Sequence, residues 1–119
     1  MTEQRTPLTG CPIEQLAEIS SGHVPYATAV ALGEDPKQHD KSALYNHLAY
    51  TPWADYGWII FCSVEAALAV KDEHPELAHL IDICVEARAF WLKLDTDGPL
   101  IDGLPSFDWK QSHSGNDSL

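Results

Sequence analysis

The sequence predicts an all-α fold, a compact bundle of about five helices with an extended C-terminal strap, on three observations. Prolines open the apolar-periodic stretches. Two long stretches carry apolar residues at helical spacing. No strand-like alternation and no Asn-Gly hairpin signal competes with them, and no internal repeat is visible.

The elements follow from the prolines. Four times a capping or turn residue precedes one: Cys11-Pro12, Asp35-Pro36, Thr51-Pro52 and His74-Pro75. Proline suits a first helical turn because its missing N–H would have no partner there and its φ is preset. Asp35 with Gln38 adds capping-box spacing. The predicted helices are 12–21, 25–32, 36–50, 52–71 and 75–94, with Gly22 and Gly33 placed as C-terminal glycines. Short loops make successive helices antiparallel neighbours, with 52–71 packed on 75–94. After Leu94, the cluster Asp95-Thr96-Asp97-Gly98-Pro99 is a turn. Ile101, Leu104, Phe107 and Trp109 then punctuate an extended strap. Residues 1–110 form one helical domain, and the polar residues 111–119 are expected to be a disordered tail.

Composition is compatible with one packed domain. The chain has 119 residues, 45% hydrophobic and 21% charged, with four Trp, four Tyr and three Phe. That is enough apolar material for a core, although a chain of this length leaves about a third of its surface unburied. Charge is one-sided: 18 acids against seven bases give a formal net of −11. Such a surface repels phosphates and argues against direct nucleic-acid binding. It suits either simple solubility or a partner with a basic surface. Cys11, Cys62 and Cys84 form neither a CxxC pair nor a zinc spacing, so free thiols in a cytoplasmic, reducing compartment are expected. Met1 to Gly10 has no apolar run of the secretory kind. The apolar run Trp58 to Val70 is broken by Glu65 and is too short to span a bilayer, so no membrane association is expected.

Two predicted helices carry the functional argument. In 52–71, Trp53, Tyr56, Gly57, Ile60, Val64, Ala67 and Leu68 make one stripe, while Trp58, Ile59, Cys62, Ala66 and Ala69 make the opposite side apolar as well. In 75–94, Leu77, Leu80, Ile81, Cys84, Val85, Trp91 and Leu92 form a broad face and Ile83, Ala87, Phe90 and Leu94 a second. The polar strip that remains is His79, Asp82, Glu86 and Lys93. Helices apolar all round are central in a fold or buried in an interface, and a small domain has difficulty burying two. This surplus points to a partner surface and to a homodimer. Arg88 falls on the main apolar face, where a guanidinium needs a carboxylate; Glu65 is the expected partner in a buried structural pair.

Site chemistry is sparse. His39 and His47 lie eight apart on one helix, about 12 Å, too far to share an ion. His79 and Asp82 at i, i+3 could supply two ligands, and His74 sits at a cap. No HExxH, Glu-x-x-His or Cys/His zinc pattern occurs. Asp95-Thr96-Asp97-Gly98 has the start of a calcium loop, with Asp102 beyond it, but Ser106 stands where the bidentate glutamate belongs, so a turn is the better reading. His39, Ala43, His47 and Tyr50, with Asn46 at the edge, share a face that fits core packing or a ligand groove. No nucleophile elbow or phosphate loop appears. Catalytic, cofactor and metal residues are therefore assigned as none.

The functional expectation is a small acidic protein-binding protein, an inhibitor or neutraliser that occupies a basic surface of another protein. Nucleic-acid mimics of the kind phages deploy against CRISPR and restriction systems are one such class, by analogy only. The expected partner-binding residues are Asp72, Glu73, Glu76, Asp82 and Glu86. The alternative is a helical protein that binds a small molecule or metal, even an enzyme, using the His/Tyr face of 36–50 or His79 with Asp82.

Overall fold

A computed structural model describes residues 7–33, 42–54 and 56–109. Among them the chain is α/β, with three helices and a mixed four-stranded sheet, which overturns the all-α expectation. The order is β1 (Leu16–Ser20), α1 (Tyr26–Leu32), β2 (Tyr50–Trp53), β3 (Gly57–Phe61), α2 (Val64–Val70), α3 (Pro75–Glu86) and β4 (Trp91–Asp95). A 3-10 turn over Ser21–His23 joins β1 to α1.

Across the sheet the strands run β1-β4-β3-β2. β4 pairs parallel with β1, Leu16 opposite Trp91, and antiparallel with β3, Phe61 opposite Trp91. β3 pairs antiparallel with β2, Trp53 opposite Gly57. Alternation decides what each strand buries. Trp58 and Ile60 of β3 and Leu92 and Leu94 of β4 enter the core. There they join Ile19 of β1, Leu32 of α1, Val70 of α2 and Leu77 and Ile81 of α3. The alternate positions Ile59, Phe61, Trp91 and Lys93 are half-buried on the other face, while Glu18, Thr51 and Trp53 are exposed.

Gly57 permits the central ladder. A Cβ there would lie 1.6 Å from the Leu94 carbonyl oxygen, so no side chain fits at that crossing. Gly98 is similarly confined, since a Cβ there would lie 2.6 Å from the Ile19 backbone, in the turn that sends the chain past the end of β1.

Each misassigned helix has a physical reason. The predicted helix 12–21 is an extended entry followed by β1. The predicted helix 52–71 is β2, a turn, β3 and then α2. Pro52 reads as a helix opener, yet it sits in the edge strand β2, where a residue without an N–H costs no ladder bond. The run Gly57–Phe61 is apolar on every helical side because Trp58 and Ile60 enter the core while Ile59 and Phe61 lie among half-buried apolar residues on the other face. The predicted helix 75–94 ends at Glu86; Ala87 and Arg88 turn the chain, and β4 supplies the remaining apolar residues. Of the predicted helix 36–50, residues 36–41 lie outside the described residues, 42–48 form turns, and Tyr50 begins β2. The expected tail 111–119 also lies outside them. α1 does start after Pro25 and stops at Gly33, whose φ of 97° is the left-handed cap. α3 opens on Pro75.

The segment from Pro99 to Trp109 is an irregular strap pinned by backbone bonds. Ser20 N–H donates to Pro99 O (2.8 Å) and Phe107 N–H to Gly22 O (2.7 Å). The Trp109 indole donates to Val24 O (2.7 Å) and meets Tyr26 edge-on at 6.1 Å. Among the described residues, no helix is long and apolar enough to cross a membrane.

Candidate functional site

The helical layer concentrates charge. α3 turns Leu77, Ala78, Leu80, Ile81 and Cys84 inward, which leaves His79, Asp82 and Glu86 exposed along its outer side. Asp72 and Glu73 are exposed in the turn before it, and Glu76 is half-buried in its first turn. α2 adds Glu65 in its own first turn, beneath a Ser63 side chain that accepts from Ala66 N–H at 3.0 Å. From Val64 to Glu86 six carboxylates face one base, Lys71. Ion pairing among the described residues is confined to Lys93 and Asp95, at 3.8 Å, on the other side of the sheet. The acids near the start of α3 also complement its dipole, so part of this charge serves the helix itself.

The expected Arg88–Glu65 buried pair is corrected. Both residues are exposed and they make no ion pair with one another. Arg88 is no longer helical: it takes φ 64°, the left-handed conformation that ends α3, so its side chain leaves the apolar face on which a longer helix had placed it. The surplus of apolar helix face also disappears, because half of it belongs to strands. The large apolar side chains that remain exposed on α2 and α3 are Val64 and Leu68, 55% and 65% accessible.

Beside the start of α3 lies a cavity of about 200 Å³ lined by His23, Pro75, Glu76, His79, Leu80 and Pro105. Its inner wall is fixed by His23, which is 2% exposed. One ring nitrogen, Nε2, accepts from Ile101 N–H at 2.9 Å, and the other, Nδ1, faces Pro105 O at 2.7 Å. A backbone N–H can only donate and a carbonyl can only accept, so the imidazole is neutral with its proton on Nδ1. His23 is thus a clasp on the strap, with no nitrogen left for a ligand. Glu76 and His79 are the polar groups the cavity offers. Sequence reasoning missed His23 because its two partners lie about 80 residues away and leave no local signal.

The other histidine candidates separate. His39 lies outside the described residues, and His47 and Ala43 are exposed in turns. Tyr50 donates to Leu32 O at 2.8 Å and accepts from the Ser42 hydroxyl, a tie between β2 and the end of α1. Burial pushes its phenol above the usual range against the Ser42 bond, which lowers it. His74 Nδ1 hydrogen-bonds Thr28 Oγ1 at 3.1 Å. Among the described residues no group of three or more His, Cys, Asp or Glu is placed to hold a metal. Asp95 Oδ1 accepts Asp97 N–H at 2.8 Å, the geometry of a side-chain-stabilised turn. Cys11 is exposed, whereas Cys62 and Cys84 are buried free thiols.

Comparison with known proteins gives one result. Residues 16–109 match the model of a family of unknown function (DUF5983), C-terminal domain, and the chain belongs to that family. No curated protein and no solved structure matches.

Proposed function

We propose that this member of the DUF5983 C-terminal domain family is a protein-binding protein that seats an acidic helical face on the basic surface of another protein and so occupies it, as an inhibitor or neutraliser does. The observation that supports this is the exposed strip Asp72, Glu73, Asp82 and Glu86, with Glu76 at its edge and no ion pair to any of them among the described residues. Unpaired surface carboxylates on one rigid element create a field that steers a cationic partner and keep their full Coulomb interaction for it. Val64 and Leu68 on neighbouring α2 supply apolar contact beside the charge. The compartment we assign is the cytoplasm, supported by two free thiols packed in the core. Self-association is assigned to the open sheet face, where Trp53, Ile59, Phe61 and Trp91 lie together.

The test is capture of partners from the native host by the wild-type chain and by the triple variant Glu76→Lys, Asp82→Lys, Glu86→Lys, at low and high salt. A basic protein retained by the first, lost by the second and released by salt is the expected result. An acidic partner, or retention indifferent to salt and charge, overturns the reading.

The cavity beside α3 supports a second reading, a small-molecule site using Glu76 and His79. A compound that raises the melting temperature of the wild type but not of Leu80→Trp, which fills the cavity, would favour it.

A further inference from the structure

We propose that Cys62 and Cys84 are an oxidative modification site, a buried dithiol that closes to an intramolecular disulfide by exchange with a small-molecule disulfide. The fold brings the two together through one short segment. Cys62 follows β3 and donates its N–H to Phe90 O at 2.8 Å; Cys84, in the last turns of α3, accepts from Ala89 N–H at 2.8 Å. Adjacent residues 89 and 90 therefore tie both cysteine backbones. Both residues are buried in the same core cluster, 7% and 5% exposed. The Cys62 thiol proton reaches two acceptors, the Ile60 carbonyl at 3.6 Å and the Cys84 sulfur.

That donation makes the pair unequal. It holds Cys84 below the ordinary thiol range, against the upward push of burial, and it drives Cys62 well above that range. The Cys62 S–H is held on the Ile60 carbonyl at 3.6 Å and keeps its proton, so Cys84 is the sulfur that attacks and Cys62 the thiol that resolves. With oxidised glutathione as the oxidant, Cys84 displaces one glutathione thiolate and forms a mixed disulfide. The released thiolate takes the Cys62 proton, and the Cys62 sulfur attacks the Cys84 sulfur and expels the second glutathione. Two protein thiols are oxidised and one glutathione disulfide is reduced to two thiols. The product joins the β3–α2 junction to the end of α3. Ala87 and Arg88, the turn between Cys84 and the 89–90 segment, are exposed and form the nearest solvent-facing stretch of chain. The site does not depend on the binding function proposed above.

The experiment uses the full chain with Cys11→Ser, which removes the exposed thiol. Native protein is equilibrated with oxidised glutathione, quenched in acid, alkylated and weighed intact. A loss of about 2 Da, no alkylation at either cysteine, and reversal by dithiothreitol are expected. With Cys62→Ser added, glutathione should stay trapped on Cys84, at a rate at least about tenfold that of Cys62 in the matching Cys84→Ser chain. Two alkylatable thiols after equilibration, or a stable glutathione adduct in the two-cysteine chain, would overturn the proposal. Equal trapping rates in the single-cysteine chains would overturn the assigned roles.

Discussion

The two outward faces of this domain handle polarity in opposite ways. On the sheet face, Lys93, Asp95 and the Trp91 indole have partners within the chain. Lys93 reaches Asp95 at 3.8 Å and stands 4.0 Å over the Trp53 ring, and the Trp91 indole donates to Glu14 at 2.8 Å. Phe61 meets Trp91 edge-on at 5.3 Å. On the helical face, Asp72, Glu73, Asp82 and Glu86 stand exposed with no such pairing among the described residues. Satisfied groups consolidate a fold, whereas charges left unpaired remain available to something outside it. The contrast predicts that substitutions on the sheet side will be felt as stability and self-association, and those on the helical side as binding of the basic partner.

Gly57→Ala should break the comparison most severely, since its Cβ would stand 1.6 Å from the Leu94 carbonyl oxygen at the centre of the sheet. The ladder must open to admit it, at a cost of about 3 kcal/mol or more, at or above the upper end for overpacking. Urea denaturation should show a large fall in midpoint; an unchanged midpoint would mean the β3–β4 register is wrong. His23→Phe should follow. It removes the partner of Ile101 N–H and Pro105 O, and two part-buried bonds left unmade cost about 1–3 kcal/mol. Hydrogen exchange localised to the strap would attribute the loss correctly.

The triple reversal Glu76→Lys, Asp82→Lys, Glu86→Lys is the counterpart on the helical face. Binding should weaken by about tenfold or more, while unfolding free energy changes by less than about 1 kcal/mol. A lysine introduced at position 76 opposes the dipole of α3 and one introduced at position 86 complements it, so those two effects partly cancel. Circular dichroism and a urea titration check the fold, and calorimetry with the captured partner checks the affinity. Trp53→Ala should have a smaller effect. It removes the Lys93 cation–π contact, worth about 1 kcal/mol at a part-exposed site, and leaves partner binding untouched.

The sequence was legible where local chemistry decides the outcome and opaque where pairing does. Pro25, Gly33 and Pro75 mark true helix ends because caps and φ restrictions act over a few residues. The exposed strip His79, Asp82 and Glu86 was readable for the same reason, since α3 persists as a helix through Glu86. Strands were missed because their partners are remote: Leu16 pairs with Trp91, 75 residues on. Trp91-Leu92-Lys93-Leu94 does alternate in burial, but the same residues continue the helical stripe from Leu77, and no turn signal stronger than Arg88 interrupts it. Pro52 is ambiguous in principle, as a helix opener and an edge-strand residue satisfy it equally. The buried Arg88–Glu65 pair failed because it depended on both elements extending beyond where they stop.

Arg88 supplies the smallest effect and tests that explanation directly. A residue that was paired and buried would cost several kcal/mol to truncate, because its carboxylate would be stranded. In this fold Arg88 is exposed and unpaired with Glu65, so Arg88→Ala should stay within about 0.5 kcal/mol of the parent. Its φ of 64° carries a penalty that any side chain with a Cβ pays and glycine does not. Arg88→Gly should therefore stabilise by up to about 1 kcal/mol, since relief of the left-handed strain exceeds the greater freedom of glycine in the unfolded chain. Urea titrations of the two variants side by side separate the alternatives. If glycine is more stable than alanine, the turn between α3 and β4 has the left-handed geometry described; if both variants collapse, the helix continues through Arg88 and the β4 assignment falls with it.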